Sequence, residues 1–245
     1  MCVHTSTIEK VKEIELETAT QLADEKHRSE FDEPQYHING FAHPPMLIIP
    51  QERNDLLVPA YWGIAPPSQD PNQLDAYYKK AVKFGGGLNA RDDKLFTHFI
   101  YNKVITTKKC LIPISGFFEP HTFQKKKYPF YCKPATNKLL LLGGIYTRIG
   151  NVVTFSIITK KASPLFEKIH NTKKRQPLLL EQEAAEKWLQ TNENTAIKSI
   201  IDLQFNDDEL VTYPVAKALF SNKQDSNQKD IVSERSYPEL QFSEL

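Results

Sequence analysis

The spacing of apolar residues changes along the chain, and each change predicts a different element. Near the start, Ile8, Val11, Ile14, Ala19 and Leu22 recur at helix-like intervals within "TSTIEKVKEIELETATQLADEK". Ser6 and Glu9 stand in capping-box spacing, so the segment predicts a helix. "QYHINGFAHPPMLIIP" reads as a loop entering a short strand at 46–49, and "LLVPAYWGIAPP" as a second strand stopped by its double proline. "NQLDAYYKKAVKF" predicts a helix, ended by Gly85, Gly86 and Gly87.

The period then shortens. "KKCLIPISGFFEP", "YPFYCKP", "KLLLLGGIYT" and "NVVTFSIITKK" are β-branched or aromatic runs divided by turn residues, which predicts strands. "SPLFEKIH" returns to helix, with Ser163 as N-cap and Pro164 in the first turn. "EQEAAEKWLQ" and "NTAIKSIIDLQF" predict two more helices, and "ELVTYPVA" a late strand. Residues 221–245 are polar and aperiodic and predict a flexible tail. There are no internal repeats. The order predicts an α+β fold: one domain over 1–220 with a central, mostly antiparallel, partly closed barrel-like sheet and flanking helices.

Composition changes this picture little. The 245 residues are 40% hydrophobic and 25% charged, ordinary for a globular chain. No apolar run approaches the ~20 residues of a membrane span, and no basic-then-apolar leader opens the chain. Cys2, Cys110 and Cys132 form neither a disulfide framework nor a metal-binding spacing. A reducing, cytoplasmic compartment is expected, with no membrane partner.

Charge changes it more. The net charge of +1 hides a block over 103–175 with fifteen Lys or Arg against two acids, Glu119 and Glu167. Folded together, its clusters would attract phosphates; scattered, they would only solubilise loops.

Candidate chemistry starts at "MCVHTS". Removal of Met1 would leave Cys2 first, with an α-amine titrating at about 8 and a thiol at about 8.5 on adjacent carbons. Such a pair captures an aldehyde as a thiazolidine. "GGGLNARDD" places Asn89 and Arg91 after three glycines, and Arg91 offers a fork for phosphate. "IPISGFFEP" sets Glu119 among aromatic residues, where desolvation raises a carboxyl pKa toward proton-shuttling range. "SPLFEKIHNTKKRQP" puts His170 at a helix end ahead of Lys173, Lys174 and Arg175; it is either an acid–base group or a cap on the last carbonyls. Trp62 is either core or a platform for a base. The remaining histidines show no paired ligand spacing, so no metal is expected.

Taken in order, "MC…WGIAP…NAR…CLIPISGFFEP…PFY…GGIYT…FSIITKKA…IHNTKKRQPLLL" resembles the SRAP family, the SOS-response-associated peptidase or abasic-site processing proteins, from Cys2 to about Trp188. The resemblance implies an enzyme of the DNA damage response that crosslinks itself covalently to abasic sites in single-stranded DNA. Cys2 would be the nucleophile, with Asn89, Glu119 and His170 on active-site positions. Arg91 falls on a DNA-contact position; Asn89, Trp62, Lys173, Lys174 and Arg175 are further candidates for DNA contact. No cofactor is implied, lyase-like Schiff-base chemistry is, and the peptidase label is read as self-processing of the N-terminus. A monomer, associated with the nucleoid when on DNA, is expected. The chain departs from the pattern at Val3 and His4, where Gly and Arg are usual, at Ser115 and Pro120, and by lacking a second tryptophan after "WGIAPP".

Two other readings stay open from sequence: an N-terminal-nucleophile thiol amidohydrolase, and a non-covalent single-stranded DNA-binding module. The crosslinking reading makes two structural demands. Cys2 must lie beside residues 89, 119 and 170, and it must be open to solvent.

Overall fold

The computed structural model describes residues 2–221 and 224–240. In chain order the strands are β1 (His4–Thr7), β2 (Gln21–Leu22), β3 (Gln35–Asn39), β4 (Pro45–Pro50), β5 (Leu56–Trp62), β6 (Asn89–Arg91), β7 (Lys109–Ile114), β8 (Gly116–Phe123), β9 (Lys126–Pro134), β10 (Leu140–Ile149), β11 (Val152–Lys161), β12 (Arg175–Pro177), β13 (Leu179–Leu180) and β14 (Leu210–Pro214). The α-helices are α1 (Val11–Thr18), α2 (Arg28–Phe31), α3 (Leu74–Ala81), α4 (Pro164–Ile169), α5 (Gln182–Gln190) and α6 (Asn194–Asp202).

Two sheets carry the fold. One is antiparallel, in the order β14-β9-β8-β1-β3. The other runs β12-β11-β10-β7-β4-β5-β2. Its β11 also pairs in parallel with β5, Thr154 opposite Tyr61, so β11-β10-β7-β4-β5 closes on itself. The fold is α+β with a barrel, as the sequence predicts, but a second sheet stands beside it.

Strand alternation explains the closure. In β4, Met46 and Ile48 enter one apolar cluster while Leu47 and Ile49 enter another. The first cluster also holds Phe117, Phe130 and Cys132 of the five-stranded sheet; the second is shared with α1, α5 and α6 through Val11, Ile14, Trp188 and Ile197. Strands covered on both faces read as unbroken apolar runs.

Three expectations are corrected. The first helix is short. His4–Thr7 is strand, because its backbone pairs with both β3 and β8, and Ser6 bonds the Tyr131 hydroxyl at 2.8 Å instead of capping a helix. "CLIPISGFFE" is two strands in different sheets, broken at Ser115, whose hydroxyl takes up the Ile8 N–H at 2.6 Å. The tail is docked, not loose, over 224–240. Ile231 and Leu240 are buried, and the Tyr237 hydroxyl donates to Val215 O at 2.8 Å. Its apolar residues are too few for periodicity, yet enough to anchor it. The last part of the expected tail, 241–245, lies outside the described residues.

Candidate active site

The five-stranded sheet contributes a thiol and a carboxyl. β1 pairs with β8, Thr5 opposite Phe117, so the residues ahead of β1 run beside Glu119. Cys2 is fully buried, in the cluster that includes Phe117, Cys132 and Trp62. Burial, and then the Glu119 charge, push its thiol well above the ordinary range. Proximity to Glu119 meets one part of the first demand of the sequence reading. Openness to solvent is not met: Cys2 follows Met1 in an amide bond and packs as a small hydrophobe.

Glu119 faces Phe130 across the β8–β9 ladder and is 0% exposed. Burial raises its pKa to about 7. His170 closes α4, a helix that starts as predicted, with Ser163 Oγ accepting from the Phe166 N–H at 3.4 Å. Its Nδ1 lies 3.2 Å from Glu119 Oε2 and 3.0 Å from Arg175 O. A carbonyl can only accept, so Nδ1 carries the proton and Nε2 is the ring's basic nitrogen. Burial, chiefly, lowers the His170 pKa to about 4, with Lys173 and Lys127 pushing the same way. At neutral pH the pair is a carboxyl group hydrogen-bonded to a neutral imidazole, and not a full ion pair.

The barrel sheet supplies the amide. β6 pairs with β11, Asn89 opposite Ile157. Gly87, at φ +68°, makes the turn that brings it there; a Cβ would sit 2.5 Å from Ile64 O. Trp62 Nε1 donates to Leu88 O at 2.9 Å, and Leu88 shares the apolar cluster of Cys2. The Asn89 Oδ1 atom is buried with no hydrogen-bond partner among the described residues.

Other expected residues fall differently. Trp62 is fully buried, stacked on Phe155 with ring centroids 6.2 Å apart. It presents no face to a base and works instead as a pillar under Asn89. Arg175 is also turned inward: its guanidinium bonds Asp92 at 2.7 Å and the carbonyl of Thr159, while its own carbonyl holds His170. Arg91 is half exposed, with its fork on Asp93 at 2.9 and 2.8 Å. Lys173 is exposed, and Lys174 pairs with Glu167 at 3.6 Å. The basic block is thus not one surface field. Lys109 is buried against Gln51 and the carbonyls of Thr106 and Thr191, and Lys160 against those of Ile201 and Leu203.

Amino-acid types gave no warning of three neighbours. Cys132, opposite Phe117, has its thiol pushed up by burial first and then by its neighbours Glu119 and Cys2. Asn171 clamps β8: it accepts from Thr122 N–H at 3.0 Å and donates to Thr122 O at 2.9 Å, tying the His170 loop to the Glu119 strand. Lys127 acts on His170 from the β8–β9 hairpin. Hairpin register, with Thr122 opposite Lys127 and Phe117 opposite Cys132, is the signal that could have found two of them. Among the described residues, no group of three His, Cys, Asp or Glu is placed to hold a metal ion, and no helix is long and apolar enough to cross a membrane.

Comparison with known proteins places the chain as a whole in a family. The family model described as SOS response associated peptidase (SRAP) matches residues 1–222. The chain belongs to the SRAP family. Among curated SRAP relatives, it is 28% identical to the abasic site processing protein YobE of Bacillus subtilis (strain 168) over 217 residues, 79% of this chain and 93% of that one. It is likewise 28% identical to the abasic site processing protein YoqW of Bacillus phage SPbeta over 222 residues, 81% and 93% of the two chains. A crystal structure of a Bacteroides thetaiotaomicron protein superposes with a TM-score of 0.82 at 28% identity, covering 96% of this chain and 100% of the other. A Bordetella bronchiseptica protein with a TM-score of 0.71 at 20% identity, covering 88% of this chain and 100% of that one, shows the same fold.

Proposed function

We propose that this protein processes abasic sites in single-stranded DNA by forming a covalent crosslink through Cys2 after Met1 is removed. The relatives' name, abasic site processing protein, supports the coarse reading. One observation carries the chemistry: a buried carboxyl with a pKa of about 7 lies 3.2 Å from an imidazole and within electrostatic reach of the Cys2 thiol.

The steps balance simply. The freed Cys2 amine adds to the C1′ aldehyde of the ring-opened sugar, the carbinolamine loses one water to give an imine, and the thiol adds across C=N to close a thiazolidine. Near neutrality Glu119 both accepts and donates protons, so it serves the carbinolamine and its dehydration. The Nε2 of His170 takes up a proton during ring opening. The Oδ1 of Asn89, which has no hydrogen-bond partner among the described residues, is an acceptor suited to the amine. A thiol held protonated by burial acts second, after the amine. Because Cys2 is buried, loss of Met1 and arrival of the strand must uncover it.

Lys127, Lys173 and the other lysines around the His170 loop would meet flanking phosphates without sequence preference. The test is an SDS-resistant band with single-stranded DNA bearing one abasic site, paired with intact mass measurement for Met1. A folded protein lacking Met1 that binds such DNA but leaves no band would refute the crosslink and leave the non-covalent binding module.

A further inference from the structure

The docked C-terminal segment lies beyond residue 222, where the family match ends, and it reaches β3, which pairs with the strand that leads from Cys2. Asn227 Oδ1 accepts from the N–H groups of Tyr36 and His37, at 2.8 and 3.2 Å, and its Nδ2 donates to Gln35 Oε1 at 2.9 Å. That one side chain covers the outer edge of β3. Beside it, Ser226 Oγ lies 2.6 Å from His37 Nδ1, and His37 Nε2 lies 2.9 Å from His4 Nδ1. A neutral imidazole has one donor and one acceptor nitrogen, so Ser226, His37 and His4 can form one continuous hydrogen-bonded chain. His4 is two residues from Cys2. Between them, Val3 O accepts from the Gly40 N–H at 2.9 Å, and Gly40 lies flat on Trp62, where a Cβ would come within 3.1 Å of the ring. Ile231, packed with Phe118 and Tyr131, holds the segment in place.

We propose that residues 226–231 brace the N-terminal strand, and that His37 and Asn227 are positioning residues which set Cys2 against Glu119. The idea rests on the crosslinking reading for its activity readout, but not for its second readout. Among the described residues, β3 is an edge strand, tied to the sheet through β1 alone. A contact on its far side therefore adds to the β8 ladder and the Tyr131 hydroxyl in fixing where β1 and Cys2 sit.

The experiment compares wild type with His37→Ala, His37→Gln and Asn227→Ala in the full chain. The first readout is the rate of SDS-resistant adduct formation at saturating abasic single-stranded DNA, beside DNA affinity. The second is alkylation of each cysteine by iodoacetamide, mapped by mass spectrometry without DNA. We expect His37→Ala and Asn227→Ala to slow the adduct about tenfold, since small misplacement of reacting groups is costly, with DNA affinity within about twofold. Alkylation of Cys2 should accelerate about fivefold through local opening while buried Cys110 and Cys132 stay protected. His37→Gln, which keeps a donor and an acceptor, should recover part of both effects. Unchanged Cys2 alkylation, or equal acceleration at all three cysteines, would overturn the brace. If wild type forms no adduct, the crosslinking reading fails while alkylation still decides the brace.

Discussion

Two acid–base partnerships a short stretch of chain apart behave in opposite ways. Glu119 and His170 are 0% and 2% exposed in their side chains; Arg91 and Asp93 are about half exposed, at 51% and 48%. At the surface, the hydrogen-bonded pair deepens its charges: Arg91 is pushed up and Asp93 down. In the interior, desolvation dominates and works against charge, raising Glu119 to about 7 and lowering His170 to about 4. The outer pair keeps both its charges at the surface, while the inner carboxyl is brought into the neutral range. Burial, and not residue type, sets the direction of these shifts.

The sharpest way to break this division is Glu119→Gln. It should lower the adduct rate by about 10²–10⁴-fold, the usual range for losing a general acid–base group, with DNA affinity almost unchanged. The wild-type rate should fall as pH rises through about 7, as the protonated acid is lost, and the variant should lack that inflection. Equal rates for the two proteins would place proton transfer elsewhere.

The same substitution sharpens the comparison in stability. The Glu119 value in the fold stands above its ordinary 4.5, so its contribution is complete below that value and is lost as pH rises through about 7. The thermal midpoint of wild type should therefore decline over this window more than that of Glu119→Gln. A parallel decline in both would show that the carboxyl is not desolvated.

A smaller effect is expected where the inner and outer regions join. Asn171→Ala removes two hydrogen bonds between the His170 loop and β8. It should slow the adduct about tenfold through misplacement of His170, with Asn171→Asp recovering less than half because an ionised carboxylate cannot donate to Thr122 O. Single-turnover kinetics would show whether the loss lies in rate or in binding.

The smallest effect belongs to the rim. Lys127→Gln with Lys173→Gln should weaken DNA binding only a few-fold at moderate salt. The slope of log affinity against log salt should become shallower by about 1.4, for two phosphate contacts on a single strand. It should also raise the His170 pKa, since both lysines lower it. A large fall in adduct rate at saturating DNA would show that rim and centre are not separable.

Much of the site was readable because its chemistry and its local structure coincide. Ser163 and Pro164 announce the helix that ends on His170, and the aromatic neighbours of Glu119 announce a desolvated carboxyl. What stayed hidden depends on contacts distant in sequence. Trp62 is a pillar because Leu88 O waits for its indole N–H; Lys109, Lys160 and Arg175 turn inward because carbonyls from other elements meet them. No local pattern reports such acceptors. The break at Ser115 was equally invisible, since an apolar run looks the same whether it stays in one sheet or crosses into the next. The docked tail was missed because Ile231, Tyr237 and Leu240 are isolated apolar residues in a polar segment, and periodicity cannot weigh single anchors.

The most direct measurement pairs one DNA substrate with two cysteine variants. Protein shown by mass to lack Met1 is mixed with single-stranded DNA carrying one abasic site, then run under SDS. Wild type and Cys110→Ala should both give a retarded, heat-stable band, and Cys2→Ala none. A band of undiminished intensity from Cys2→Ala would contradict capture by the N-terminal aminothiol.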